Sequence, residues 1–105
     1  MTSPEIFGPK LWYLLHTSAA SYPEKPDAYT TREMTFMIIG LPALVPCSIC
    51  KSHVRSWLQY NQLRIKNAVK SRETLFSLFV DLHNSVNRRL NKRVWSLQDA
   101  KNQYY

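Results

Sequence analysis

The segment Ser71–Leu90, SRETLFSLFVDLHNSVNRRL, has the strongest helical periodicity in this 105-residue chain. Ser71 is a suitable N-cap, because its hydroxyl can accept a backbone N–H of the first turn. The apolar side chains that follow recur at spacings of three and four and form one wide face: Leu75, Phe76, Leu78, Phe79, Leu82, Val86 and Leu90. A helix with so broad an apolar face must be packed on several sides, which predicts a core made of helices.

Two helices are predicted in the N-terminal part of the chain. The first is expected to begin at Pro9, a residue that suits the first helical position, and to end near Tyr22. The second is expected to begin at a capping box formed by Thr30 and Glu33. Pro42 should end or kink this second helix, because proline lacks a backbone N–H.

Two more helices flank the periodic segment, and the stretch 61–70 is polar, basic and without a predicted element. One helix is predicted from Cys47 to about Asn61, and a short closing one within 95–105, where Ser96 and Asp99 form a weak capping pattern. Only two glycines occur, and β-branched alternation is hard to find. The predicted class is all-α: a four-helix bundle with a short fifth helix, in a single domain over residues 1–105.

Charge is concentrated in the second half of the chain. Residues 51–105 contain eleven Lys/Arg and three Asp/Glu, a net charge of +8, whereas residues 1–50 have a net charge of −1. The sign alone does not separate a solvated helix face from a site for phosphate or nucleic acid. No apolar run approaches the ~20 residues that span a bilayer, and no secretory signal is present, so a cytoplasmic protein is expected.

The two cysteines form the motif Pro46-Cys47-Ser48-Ile49-Cys50. A disulfide that closes so short a loop removes little chain entropy, so it would stabilise the fold poorly. Redox chemistry and metal binding are the better interpretations of Cys-x-x-Cys in a chain without other cysteines. Lys51, His53 and Arg55 follow on the same helix and are expected to add positive potential.

Polar residues interrupt the apolar faces of two predicted helices. Buried polar groups need partners, which are either other side chains or a ligand. A ligand with a planar aromatic system, hydroxyls and phosphates would use a set of rings, amides and a cation such as Trp12, His16, His83, Asn84, Asn87 and Lys92.

Four segments together resemble, in order and spacing, the Erv/ALR FAD-linked sulfhydryl oxidases. They are Gly8-Pro9-Lys10-Leu11-Trp12-Tyr13-Leu14-Leu15-His16-Thr17, then Ala19-Ala20-Ser21-Tyr22-Pro23, then Cys47-x-x-Cys50, and finally His83-Asn84-Ser85-Val86-Asn87-Arg88-Arg89-Leu90-Asn91-Lys92. The resemblance covers roughly residues 8 to 93. The small size and few cysteines look most like versions encoded by large cytoplasmic DNA viruses, which implies virion assembly in a host cytoplasm.

The resemblance implies that FAD is held without a covalent bond at the mouth of the bundle. Cys47 and Cys50 would be catalytic, with Cys50 facing the isoalloxazine and Cys47 toward the outside. The expected cofactor-binding residues are Gly8, Lys10, Trp12, His16, Tyr22, His83, Asn84, Val86, Asn87, Leu90, Lys92 and Tyr104. One ring among Trp95, Tyr104 and Tyr105 would pack on adenine, and the sequence does not decide which.

The implied reaction is disulfide formation in partner proteins. Electrons would pass from a substrate dithiol through the Cys47–Cys50 disulfide to FAD, and then to dioxygen, giving hydrogen peroxide. Many family members carry a further Cys-x-x-Cys on a flexible arm, and this sequence has none. Direct transfer from a dithiol protein, such as a small redox relay protein, is therefore expected, with a homodimer as the usual family assembly.

Three other interpretations compete with the oxidase. A zinc site could use Cys47, Cys50 and His53 with His16 or His83 as the fourth ligand. A basic nucleic-acid binder is possible on charge, but no recognition helix or stacking motif supports it, so no specific nucleic-acid partner is expected. A thioredoxin-like fold would need alternating strands and helices, which the pattern lacks.

Overall fold

The computed structural model describes residues 3–105, and that part of the chain contains helices and no strand. The all-α prediction is confirmed. Met1 and Thr2, which the predicted domain includes, lie outside the described residues. A 3-10 helix at Leu41–Leu44 separates the second and third of six α-helices: α1 (Pro4–Ala20), α2 (Ala28–Gly40), α3 (Ser48–Tyr60), α4 (Gln62–Ala68), α5 (Arg72–Arg89) and α6 (Leu97–Tyr104).

Helix α5 is the centre of the fold. It packs against α1, α3, α4 and α6, and the Ser71 Oγ accepts the Thr74 N–H at its start, as predicted. Phe76 and Phe79 are completely buried. Each buried phenylalanine stabilises the fold by about 1.5–3 kcal/mol relative to an exposed one, so this single apolar face accounts for much of the core.

The first two helices begin earlier than predicted. Helix α1 starts at Pro4, which takes the first position, so Pro9 lies inside the helix. Helix α2 starts at Ala28 because Asp27 is its N-cap, with Oδ1 accepting the Thr30 N–H at 2.8 Å. The predicted Thr30 cap was therefore wrong, since an aspartate three residues earlier provides the acceptor.

The predicted gap at 61–70 contains a short helix. Helix α4 follows α3 after Asn61, whose amide donates to the Trp57 carbonyl at 2.8 Å. Its apolar residues Ile65 and Ala68 are buried against the core. In the sequence, these two apolar residues are surrounded by polar and basic ones, so the segment has no clear apolar face and α4 was not predicted. The bundle therefore has one more helix than expected.

The chain leaves α5 through a turn that shapes the site. Asn91 has φ of 57°, in the left-handed region, where asparagine is better tolerated than most residues. The Lys92 N–H donates to the Asn87 carbonyl and the Asn91 N–H to the Arg88 carbonyl, which is a Schellman motif. This turn folds the segment after α5 back across the end of the bundle.

Candidate active site

An open cleft of about 300 Å³ lies at this end of the bundle, bordered by α1, α3, α5, the 3-10 helix and the segment 92–95. Its walls are largely apolar, and Lys92 and Arg93 lie at its rim. Predicted residues that line it are Gly8, Trp12, Cys50, His83, Val86, Asn87, Leu90 and Lys92. Sequence reasoning missed the apolar walls that α1, the 3-10 helix and α3 contribute: Phe7, Leu11, Leu41, Val45 and Val54.

The cysteine pair occupies the start of α3. Cys47 is the N-cap, and its Sγ accepts the Cys50 N–H at 3.4 Å. Cys47 is half-buried, whereas Cys50 is buried and lines the cleft. The two thiols therefore have different environments: Cys47 lies outside the cleft, and Cys50 lies in its wall.

Their acidities differ in the same way. Hydrogen bonds from the Cys50 thiol and backbone N–H lower the pKa of Cys47. Burial, and then the hydrogen bond with Cys47, raise the pKa of Cys50. In the reduced pair Cys47 is thus the first thiolate and Cys50 the proton donor to it, as expected for an outer sulfur at a helix N-terminus.

Arg89 is a site residue that sequence reasoning missed. Its Nη2 lies 3.3 Å from Cys50 Sγ, and its charge opposes the rise in the Cys50 pKa. Lys51, His53 and Arg55 were expected to supply the positive potential, but the contact comes from α5. Arg89 follows Val86, a cleft residue, by three positions, and this helical spacing is the signal that could have found it.

Four aromatic rings form a column beside the cleft. Trp12 stacks on His83 with centroids 4.2 Å apart and planes inclined by 10°. His83 lies next to His16, and His16 in turn stacks on Tyr104 at 4.7 Å. The column joins α1, α5 and α6 and places Trp12 and His83 on the cleft, with His16 and Tyr104 behind them.

The two histidines share a hydrogen bond of 2.8 Å between His16 Nε2 and His83 Nδ1. Burial lowers the pKa of each to about 4, so both rings are neutral at neutral pH. His16 Nδ1 is buried without a partner among the described residues. A buried N–H without a partner is rarer than an unused acceptor, which favours His16 as the donor and a proton on Nε2 of His83.

Two asparagines on α5 have different roles. Asn84 exchanges two hydrogen bonds with the backbone of Trp95, at 2.7 and 2.9 Å, and so ties the segment after α5 to the bundle. Asn87 is buried and lines the cleft, and its side-chain amide has no hydrogen-bond partner within residues 3–105. Asn87 therefore has hydrogen-bonding capacity for a ligand, whereas Asn84 is already paired.

Several expected cofactor-binding residues lie away from the cleft wall. Tyr22 is buried where α1 ends, and its hydroxyl donates to the Val69 carbonyl at 2.7 Å. Lys10 is exposed and outside the lining. Of the three candidate C-terminal rings, Trp95 lines the cleft, whereas Tyr105 packs edge-on against Phe76.

The residues of the zinc alternative do not converge. Among residues 3–105, no three His, Cys, Asp or Glu side chains are grouped as metal ligands. His53 Nε2 lies instead 3.3 Å from Ser85 Oγ.

Within residues 3–105, no helix is long and apolar enough to cross a membrane.

Comparison with known proteins matches residues 9–105 to the Erv1/Alr family. A FAD-linked sulfhydryl oxidase of African swine fever virus is 33% identical over 98 residues, which cover 93% of this chain and 79% of the viral protein. Protein 096R of Invertebrate iridescent virus 3 is 36% identical over 89 residues, covering 85% of this chain. The chain spans 59% of that iridescent-virus protein.

Solved structures agree with the sequence comparison. The FAD binding domain of Erv1 from Saccharomyces cerevisiae superposes with a TM-score of 0.89 and 28% identity, over 99% of this chain and 95% of that one. The yeast Erv1 core gives a TM-score of 0.88, also over 99% of this chain and with 28% identity. These similarities cover the bundle and the cleft described above.

Proposed function

Because the chain belongs to the Erv1/Alr family, we propose that it is a FAD-linked sulfhydryl oxidase that makes disulfide bonds in partner proteins. The observation that carries the proposal is the position of Cys50, whose buried thiol forms part of the wall of the cleft. Cys47, its redox partner, lies outside that wall. A cysteine pair arranged in this way can exchange with a substrate on one side and with a cofactor on the other.

The cleft residues fit FAD. Its apolar walls and the Trp12–His83 stack suit a flat ring system, and the unpartnered Asn87 amide offers hydrogen bonds to it. Lys92 and Arg93 at the rim suit a pyrophosphate. We propose Gly8, Trp12, His83, Val86, Asn87, Leu90 and Lys92 as direct contacts, with Trp95 as the ring available to adenine. When bound, FAD would accept two electrons from the reduced cysteine pair and pass them to dioxygen as hydrogen peroxide.

The remaining expected cofactor residues would act from behind the cleft. His16 and Tyr104 support His83 through the aromatic column, and Asn84 holds the Trp95 segment in place. Tyr22 fixes the end of α1 through its hydrogen bond to Val69. Lys10, which is exposed, would reach only a part of the cofactor that extends beyond the cleft.

In the proposed reaction a substrate thiolate attacks Cys47 Sγ of the Cys47–Cys50 disulfide. The sulfur–sulfur bond breaks, a mixed disulfide forms at Cys47, and Cys50 leaves as a thiolate. The second substrate thiol then loses its proton to solvent and attacks the substrate sulfur of the mixed disulfide, whose bond to Cys47 breaks so that Cys47 leaves as a thiolate. The substrate leaves oxidised, and the protein is left with both cysteines reduced.

The substrate would be an external dithiol protein, and a small redox relay protein fits this role. These 105 residues contain no second Cys-x-x-Cys that could carry electrons to Cys47. Viral relatives support a place in the host cytoplasm for a viral protein of this kind.

A homodimer is the assembly that we propose. Large apolar side chains on the first two helices, each more than half exposed, support it: Ile6, Tyr13, Leu14, Tyr29, Phe36 and Ile39. Light scattering should give twice the monomer mass for the wild type and one monomer mass for Phe36→Glu. A monomeric wild type at micromolar concentration would contradict the dimer.

The activity is tested on the purified protein with dithiothreitol in air. We expect a yellow protein with one FAD per chain, which consumes oxygen and forms one hydrogen peroxide per dithiol oxidised. The Ser48→Ala variant, changed between the two cysteines at an exposed position, should retain this activity, whereas Cys47→Ser should lose it. A colourless protein, or equal turnover in Cys47→Ser, would overturn the proposal.

A further inference from the structure

We propose that the Arg89 guanidinium stabilises the Cys50 thiolate that is released when the Cys47–Cys50 disulfide opens, and so accelerates that opening. This inference rests on the proposed function, because it concerns the same cysteine pair. It makes Arg89 a catalytic residue, since the guanidinium touches a reacting sulfur.

Among the described residues, the Arg89 guanidinium contacts the Cys50 sulfur and no carboxylate. Its Nη2 donates to Cys50 Sγ at 3.3 Å from the last turn of α5, across the interface with α3. Its Nε is buried and has no partner among residues 3–105, and its guanidinium makes no ion pair there. A half-buried cation without a carboxylate gains most when an anion forms beside it, and the neighbouring group that can become one is the thiol.

Cys50 needs such a partner more than Cys47 does. The Cys50 sulfur is buried, and burial is the main cause of its raised pKa, whereas Cys47 is only half-buried at the N-terminus of α3. A thiolate with a high pKa is a slow leaving group. Without compensation, the inner sulfur would therefore limit the opening of the disulfide.

The other charges around Cys50 do not replace Arg89. Besides Cys50, the titratable and charged groups that line the cleft are His83 on α5 and Lys92 and Arg93 beyond it. His53 is on α3 outside this lining, and α1 and the 3-10 helix contribute no charged group to the cleft wall. Both histidines have lowered pKa values and are neutral at neutral pH. Cys47 and Arg89 are the two groups whose charges act on the Cys50 pKa, and Cys47 acts against the thiolate.

The step is balanced without any proton transfer from Arg89. The substrate thiolate contributes an electron pair to the new bond with Cys47 Sγ, and the pair of the broken bond stays on Cys50 Sγ. Guanidinium does not deprotonate in proteins, so Arg89 cannot convert this thiolate into a thiol. The cation thus keeps the electron pair available on the sulfur that faces the cleft.

The first test measures Cys50 alone, in a Cys47→Ser background, by ultraviolet absorbance of the thiolate as pH is raised. Adding Arg89→Met should move the midpoint to higher pH and reduce the thiolate fraction at neutral pH about tenfold. Adding Arg88→Met, which removes an equal charge at the preceding, exposed position, should leave the midpoint unchanged. Equal midpoints for Arg89→Met and Arg88→Met would overturn the inference.

The second test measures how fast dithiothreitol opens the disulfide in the full oxidised protein without oxygen, by alkylating new thiols at timed intervals and counting them by mass. Arg89→Met should open about tenfold more slowly than wild type, and Arg89→Lys should recover most of the rate. Arg89→Gln provides the same comparison if the methionine variant does not fold. Opening at the wild-type rate in the uncharged variants would overturn the inference.

This design separates the two proposals. Dithiothreitol can open the disulfide whether or not electrons then pass from the cysteines to FAD and dioxygen. A wild type that opens at an Arg89-dependent rate but never forms hydrogen peroxide would contradict the oxidase and leave the Arg89 inference standing. A wild type that is an active oxidase, with Arg89→Met opening normally, would contradict Arg89 alone.

Discussion

His16 and His83 are joined by a 2.8 Å hydrogen bond between Nε2 and Nδ1, although 67 residues separate them in the sequence. The bond ties α1 to α5 directly behind the cleft. Both rings are neutral in the folded protein, because burial lowers the pKa of each to about 4. The same two residues that connect the helices therefore make the fold sensitive to acid.

The first prediction concerns stability against pH. In the unfolded chain both histidines regain a pKa near 6.5, so between about pH 6.5 and 4 the unfolded state binds more protons than the folded state. Stability is therefore full above pH 6.5 and is lost as pH falls toward 4. Each histidine contributes about 2 kcal/mol over this range, so we expect the free energy of unfolding, measured with urea, to drop by about 2–4 kcal/mol between pH 7.5 and 5.

Two features separate the contribution of the histidine pair, to which His53 adds through its own lowered pKa, from that of other groups. The lowered pKa values of Asp27 and Glu73 affect stability only below about pH 4.5, outside this window. The His83→Gln variant should lose a large part of the dependence. An unfolding free energy that is equal at pH 7.5 and pH 5 in the wild type would contradict the prediction that His16 and His83 are both neutral in the folded protein.

The second prediction concerns the turn after α5. Asn91 has a positive φ, so Asn91→Val should destabilise the fold by about 1–2 kcal/mol, because a β-branched residue is strained in that region. Asn91→Gly should be neutral or slightly stabilising, since glycine adopts this conformation without strain. Thermal unfolding distinguishes the two. Equal melting temperatures would show that the turn is not held in the left-handed conformation.

The third prediction concerns the tie between Asn84 and Trp95. Asn84→Ala removes two hydrogen bonds and leaves backbone groups of Trp95 without partners, so we expect a loss of about 1–3 kcal/mol in urea unfolding. Asn84→Asp should also be destabilising, because a carboxylate cannot donate to the Trp95 carbonyl. Asn102→Ala on the exposed face of α6 is the control. If Asn84→Ala lost no more unfolding free energy than Asn102→Ala, the two hydrogen bonds between Asn84 and Trp95 would not stabilise the fold as predicted.

The fourth prediction concerns flavin binding. Trp12→Ala removes the ring that stacks on His83 at the cleft, and its affinity for FAD should fall at least about tenfold in a fluorescence titration. Trp57→Ala removes a half-buried ring that does not line the cleft, so its affinity should stay close to wild type. Equal losses in the two variants would indicate a general effect on folding.

The sequence predicted the parts of this structure that follow from local patterns. The periodic face of α5, its Ser71 cap, the Ser96 cap of α6 and the position of the cysteine pair at the start of α3 are all confirmed. Each depends on residues within a few positions of one another, so propensity and capping chemistry were sufficient.

What the sequence did not predict depends on tertiary contacts. Pro9 was placed at a helix start because proline is usually excluded from helix interiors, yet α1 continues through it. Arg89 was not separated from the other basic residues, because only packing of α5 against α3 brings its guanidinium to Cys50. Asn84 and Asn87 looked alike in sequence, and only the return of the chain to Trp95 distinguishes them.

We propose that Cys50 is the sulfur through which electrons leave the cysteine pair. The most direct measurement is an anaerobic visible spectrum of the purified wild type and Cys50→Ser, before and after one equivalent of dithiothreitol and again after air is admitted. We expect a flavin band in both proteins. In the wild type it should bleach rapidly and return with air, whereas in Cys50→Ser it should stay unbleached on that time scale. A wild type without a flavin band, or bleaching at the same rate in both proteins, would contradict it.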